Sequence, residues 1–137
     1  MTRRYGFAAS HRLHSERFSE AENAALFGKC NNPYGHGHDY EIFVTARGEV
    51  DPRTGRAFDP AVLDALVERH VLSAYHHRNM NTDVPEFLGT VPTTENLASA
   101  IAARLRDHWS EAFPDAEPAL RRVRIRETDR NIFELNL

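Results

Sequence analysis

The sequence predicts an α+β fold built on an antiparallel sheet, and three observations lead to it. Two N-terminal segments alternate apolar and polar residues with the period of a strand. Two central segments carry helix caps followed by apolar residues at helical spacing. Two further alternating segments close the chain, giving the order ββααββ, with strands grouped apart from helices. The 137 residues suffice for one domain, taken as 1–137.

The first strand is expected over Arg3–Ser10, with Tyr5, Phe7 and Ala9 on one face. From His14 to Pro33 the pattern is polar and irregular, with Gly28, Asn31, Asn32 and Pro33 as turn formers. A long loop is expected there, and long loops in compact domains usually serve function. The second strand is expected from about Gly37 to Glu49, with Tyr40, Ile42, Val44 and Ala46 facing one way. Asp59-Pro60 then starts a helix, an N-cap followed by proline at the first helical position. A second loop is expected over Tyr75–Pro92, after which Thr93 caps a helix whose stripe is Leu97, Ile101, Leu105 and Trp109. The last strands are expected over Leu120–Glu127 and Asn131–Leu135.

Apolar residues make up 41% of the chain, enough for a core, and the net charge of −3 argues against nucleic acid as a partner. The N-terminal segment has no apolar signal core, and no stretch approaches the length of a membrane span. The single cysteine, Cys30, rules out an intramolecular disulfide and fits a reducing compartment. A cytoplasmic, essentially complete chain is expected.

His36-Gly37-His38 is the sharpest local feature. Residues two apart on a strand point the same way, so both imidazoles continue the face of Tyr40 and Ile42. By the same parity His11 continues the face of Phe7 and Ala9. If the two strands pair, three imidazoles converge at one end of the sheet. That donor set suits Zn²⁺ with one position left open, and Gly35 and Gly37 keep the nearby backbone free of bulk. The alternative is a His-rich turn without a metal. His14, His70 and His108 are read as surface or helix-flank residues, His14 being a spare ligand by its position.

Cys30 lies six residues before His36, between Lys29 and Asn31-Asn32. A neighbouring cation or Zn²⁺ would lower its pKa, which favours a base or nucleophile over a buried filler or a metal ligand. His76-His77-Arg78-Asn79 forms a second polar cluster, equally readable as a plain loop. Glu127 shares the parity of Val123 and Ile125, so its carboxylate ends an apolar face and needs a partner. That partner is either an N–H pair on a ligand or an arginine. Arg122, Arg124 and Arg126 share the opposite face, a solvated stripe or an attractor for a phosphorylated substrate.

Taken together, several segments resemble the 6-pyruvoyl-tetrahydropterin synthase family. They are Phe7-Ala8-Ala9-Ser10-His11-Arg12-Leu13, Gly28-Lys29-Cys30-Asn31-Asn32-Pro33 with Gly35-His36-Gly37-His38, and His77-Arg78-Asn79-Met80. Asp83-Val84-Pro85, Thr93-Thr94-Glu95-Asn96 and Glu127-Thr128-Asp129 complete the set. The six-residue interval from Cys30 to His36 resembles the pyruvoyl enzymes more than the 6-carboxy-tetrahydropterin synthases of queuosine biosynthesis, which place the cysteine closer.

The resemblance implies a tunnelling fold: a four-stranded antiparallel sheet with two helices, assembled as a homo-oligomer (trimer or hexamer) with sites between subunits. It implies 7,8-dihydroneopterin triphosphate as substrate and loss of triphosphate as the reaction. It also implies Zn²⁺ on His11, His36 and His38, Cys30 as base, His77 as proton relay, and Glu127 with the Thr93, Thr94 and Glu95 backbone as the pterin pocket. One position departs from the pattern, since His76 stands where the family usually has an aspartate beside the relay histidine. The 6-carboxy enzyme and a catalytically impaired zinc- and pterin-binding protein are the competing expectations.

Overall fold

The computed structural model describes residues 1–115 and 117–137. Its order is β1 (Thr2–His11), α1 (Glu20–Phe27), β2 (His36–Arg47), α2 (Pro60–Val67), α3 (Ser73–Tyr75), β3 (Arg78–Asn79), α4 (Met80–Asp83), α5 (Thr94–Ala112), β4 (Ala119–Arg126) and β5 (Ile132–Asn136). The four expected strands are present and pair antiparallel in the order β1-β2-β4-β5. The expectation of a purely antiparallel four-stranded sheet is corrected by β3, which adds parallel to β1 through Ala9↔Arg78 and Ser10↔Asn79. The sheet is therefore five-stranded and mixed. A two-residue strand is too short to show any alternation, so it could not be read from the sequence.

Both expected helices form at the expected caps. Asp59 accepts from the Ala61 N–H ahead of Pro60, and Thr93 accepts from the Asn96 N–H. α2 runs into a wider π turn, Glu68–Leu72, before α3. Its Leu63 and Val67 pack with Leu97, Ile101 and Leu105 of α5 against Phe7, Tyr40, Ile42, Val44, Val123 and Ile125 of the sheet. Those residues occupy one parity of each strand, which is why the alternation was visible.

The expected loop over His14–Pro33 is corrected by α1. Ser19 and Glu22 close a capping box there, each side chain bonding the other's backbone N–H. The helix has no apolar stripe, and its one buried residue is Asn23. The Asn23 amide donates to the Ser15, Phe18 and Ser19 carbonyls and accepts from the Ser15 N–H. A helix anchored by an amide leaves no hydrophobic period to read, although Ser19-x-x-Glu22 was a legible start signal. The expected loop over Tyr75–Pro92 likewise contains β3, α4 and a 3₁₀ turn at Pro85–Phe87.

The other face of the sheet carries paired charges. Arg126 bonds Glu41 at 2.7 Å and Arg122 approaches Glu134 at 3.4 Å. Arg122 and Arg126 are thus ion-paired on the face turned away from the helices, while Arg124 between them lies over the Phe43 ring at 5.4 Å.

Candidate functional site

The register of β1 and β2 sets His11 opposite His36, with His38 opposite Ala9 one pleat away. All three imidazoles therefore gather at one end of the core face, as strand parity predicts. His11 is fully buried, and His36 and His38 are half-buried. Nε2 of His11 lies 3.1 Å from Nε2 of His36, and one donor nitrogen from each of the three residues lies within 4.8 Å of the others. Nitrogens bound to a common tetrahedral ion at about 2.0–2.1 Å stand roughly 3.3 Å apart. The His11–His36 separation matches that value, and the third nitrogen lies within 4.8 Å of both.

The hydrogen bonds agree with that reading. Nδ1–H of His11 donates to the Pro92 carbonyl at 2.8 Å, which fixes the tautomer and leaves the Nε2 lone pair facing the cluster. Nε2 of His38 and Nδ1 of His36 are buried without a partner among the described residues. A buried imidazole nitrogen without a partner is costly, and at Nε2 of His38, 3.8 Å from Glu127, a bound cation would satisfy it. Burial pushes the pKa of His11 and His36 down, with the neighbouring imidazoles adding to it and Glu127 opposing it. Both rings are thereby held neutral, the form that binds a metal.

Gly35 is the backbone device that permits this approach. Its φ is +70°, and a Cβ there would stand 3.0 Å from the His11 carbonyl oxygen. Gly37 is different: a Cβ would meet the Ala9 carbonyl at 3.6 Å, an ordinary contact. Gly35→Ala is therefore expected to cost about 1–3 kcal/mol of stability through left-handed strain and to weaken metal binding as His11 shifts. Gly37→Ala should do neither, and denaturant melts with metal titration of both variants check the pair.

Glu127 stands at the rim of the triad. Its Oε1 lies 3.5 Å from Nε2 of His11 and 3.8 Å from Nε2 of His38, and accepts from the Tyr40 hydroxyl at 3.3 Å. Its Oε2 accepts from Nδ2 of Asn131 at 2.7 Å. The same Asn131 amide nitrogen lies 3.0 Å from the Thr94 hydroxyl, tying the first turn of α5 to Glu127. The arginine partner considered for Glu127 is thus replaced by Tyr40 and Asn131. The arginine stripe occupies the opposite face and does not border the triad.

Cys30 sits on the 3₁₀ turn Gly28–Asn31, its carbonyl accepting from the Leu13 N–H at 2.8 Å. The thiol is close enough to Glu127 to feel it. Burial first, and then that carboxylate, push its pKa up. The lowering expected beside a cation or Zn²⁺ therefore has to come from a bound ion, since Lys29 does not offset Glu127.

The second cluster reaches the triad at His38, across a shared depression. His77 has a positive φ of 59° and, with His38, Asp39 and Asp83, lines an open depression of about 600 Å³. Its N–H donates to the Ala8 carbonyl. Nδ1 of His76 accepts from the Ala8 N–H at 3.1 Å, and the two rings stack at 3.7 Å. His76 thereby holds the edge of β1. Among the described residues, no hydrogen bond joins His77 to Cys30 or Glu127.

Of the expected pocket residues, Thr94 is buried against Asn131, Thr93 caps α5, and Glu95 is exposed on its first turn. The spare ligand His14 bonds Asn31 instead, at 3.0 Å. Sequence reading missed Tyr40 as a site residue because it reads as core. It missed Asn131 because it reads as a turn residue, and the Pro92 carbonyl because a backbone acceptor has no sequence signal.

Comparison with known proteins places the chain by family and fold. The sequence profile described as "6-pyruvoyl tetrahydropterin synthase" matches residues 1–136. The 6-pyruvoyl tetrahydrobiopterin synthase of Poecilia reticulata is 46% identical over 132 residues, covering 96% of this chain and 86% of that protein. The human protein of the same name is 43% identical, covering 96% of this chain and 87% of its own. The structure of Caenorhabditis elegans 6-pyruvoyl tetrahydropterin synthase superposes with a TM-score of 0.87 at 44% identity, covering 99% of this chain and 93% of that one. Plasmodium falciparum 6-pyruvoyl tetrahydropterin synthase, at 15% identity and a TM-score of 0.62, shares the fold. Near-complete coverage at this identity leaves no segment unmatched that could carry a different fold, and the chain belongs to the 6-pyruvoyl tetrahydropterin synthase family of lyase-type enzymes.

Proposed function

We propose that the chain converts 7,8-dihydroneopterin triphosphate to 6-pyruvoyl-tetrahydropterin with elimination of triphosphate, using Zn²⁺ held by His11, His36 and His38. The observation that carries this reading is the gathering of three imidazoles beside the Glu127 carboxylate, with Cys30 close by. The names of the relatives favour the pyruvoyl product over the 6-carboxy one.

Bound Zn²⁺ supplies Lewis acidity that polarises the substrate's side-chain oxygens, acidifies the adjacent C–H and offsets the negative field on the thiol. Glu127 reads the amino and ring N–H edge of the pterin with paired hydrogen bonds, its orientation held by Asn131 and Tyr40. The backbone from Thr93 to Glu95 lines the pterin pocket, and Thr94 is locked to Asn131. Cys30 Sγ accepts the proton released from the side chain. His77, exposed on its own chain, relays a proton at the site of a neighbouring subunit in a trimer or hexamer. The charged sheet face, left bare by the helices, suits the inside of such a barrel. The compartment that fits is the cytoplasm, and no described helix is long and apolar enough to cross a membrane.

A second reading, a zinc- and pterin-binding protein with reduced catalysis, draws on His76. Its Nδ1 is committed to the Ala8 N–H, so it gives His77 no carboxylate to orient it. His76→Asp is expected to raise turnover roughly tenfold or more, the usual scale for such an orienting partner. Unchanged turnover would show that no carboxylate is needed there. The main proposal is tested by incubating zinc-loaded protein with 7,8-dihydroneopterin triphosphate. Triphosphate release with a 6-pyruvoyl product supports it. A 6-carboxy product, or bound pterin without release, overturns it.

A further inference from the structure

A second cluster of potential metal ligands lies at the far end of α5. His70 comes from the π turn that extends α2, while His108 and Glu111 lie one helical turn apart on α5. The His70 and His108 rings stack with centroids 3.7 Å apart and planes 13° from parallel. Nδ1 of His108 bonds Oε1 of Glu111 at 2.6 Å, and Nε2 of His70 lies 3.4 Å from Oε2 of the same carboxylate. One donor atom from each of the three residues lies within 4.8 Å of the others.

We propose that His70, His108 and Glu111 form a second, exchangeable binding site for a Zn²⁺-class divalent ion, which staples the end of α2 to α5. Two nitrogens and one carboxylate oxygen are the donor types that borderline divalent ions take, in preference to Mg²⁺ or Ca²⁺. The backbone geometry is fixed. His108 and Glu111 are neighbours on one helix face, and the His70 carbonyl is held by Arg104 at 3.4 Å. The side chains are 16%, 38% and 52% exposed for His70, His108 and Glu111, so rotamer changes alone can close them around an ion. Beside them, His70 and Glu111 line a depression of about 370 Å³ with Ala61, Ala65 and Leu66, which leaves room for water ligands.

This site is separate from the triad. His108 is 14 residues along α5 from Thr94, about 21 Å at 1.5 Å per residue. Its occupancy would tie the α2–α5 packing to metal supply without touching the reacting groups.

The test is a Zn²⁺ titration of the full-length chain against a competing chromophoric chelator, run beside His108→Asn/Glu111→Gln. The wild type is expected to bind one more ion per chain than the double variant. It should also show a Zn²⁺-dependent rise in Tm above that of the variant, since an ion bound to the native state stabilises it. Turnover per filled triad should be equal in the two proteins. Loss of one ion on substitution supports the proposal whether the total falls from two to one or, if the triad binds none, from one to none. Equal stoichiometry in the two proteins, including none in either, overturns it. The single variant Glu111→Gln, an exposed change on a helix surface, repeats the test should the double variant prove poorly folded.

Discussion

Replacing His36 by alanine will strip the triad of its metal and lower turnover roughly 10³-fold, because Lewis-acid polarisation is worth several kcal/mol and each 1.36 kcal/mol is a factor of ten. His36 is the residue to choose because it is half-buried while His11 is fully buried. Deleting the His11 ring would also release the Pro92 carbonyl and open the core. His36 offers Nε2 to the cluster and has no hydrogen bond at Nδ1 among the described residues, so its loss removes a ligand and little structure. Metal content by mass spectrometry, read with Tm and turnover, separates the outcomes. Loss of the ion and of activity with Tm of the metal-free protein retained is the expected pattern. Full activity in His36→Ala would show that the triad does not serve the reaction.

Cys30→Ala is expected to lower turnover by roughly 10²–10⁴, the usual contribution of a positioned base, while leaving zinc content and pterin affinity intact. The thiol is partly buried and feels Glu127, so burial and a negative field both favour its protonated form in the metal-free chain. The sign gives a second readout. Without metal, alkylation of Cys30 should become fast only above the ordinary thiol range. Loading the triad should bring that transition toward neutral pH, since a cation favours the thiolate. Turnover that survives Cys30→Ala would move the base elsewhere. An alkylation profile indifferent to metal would show that the ion and the thiol are not electrostatically coupled.

The parts of this site legible in the sequence were those that obey a period. Phe7, Ala9 and His11, then His36, His38 and Tyr40, keep one parity, and the register His11↔His36 follows once the strands pair. Glu127 was found the same way, as a carboxylate continuing the face of Val123 and Ile125. The period fails where a contact is long-range or made by the backbone. Nothing local announces that Pro92 will bond His11 across 81 positions, or that Asn131 will bridge Thr94 and Glu127. His70 and His108 read as helix-flank residues because their meeting depends on how α2 packs on α5. α1 escaped because its buried anchor is the polar Asn23, and β3 because two residues carry no pattern. The thiolate character expected of Cys30 beside a cation depends on the bound ion, for a physical reason. Lys29 is its neighbour in sequence, but Glu127 is the charge it feels in space.

On this reading the chain's chemistry depends on an ion held by His11, His36 and His38. Chelating the protein to zero metal and adding back Zn²⁺ in steps, with turnover of 7,8-dihydroneopterin triphosphate followed against ions bound per chain in the His108→Asn/Glu111→Gln background, tests it most directly. The expected result is no turnover without metal and a linear rise that ends at one ion per chain. Turnover by the metal-free protein, or a rise unrelated to filling of the triad, would contradict it.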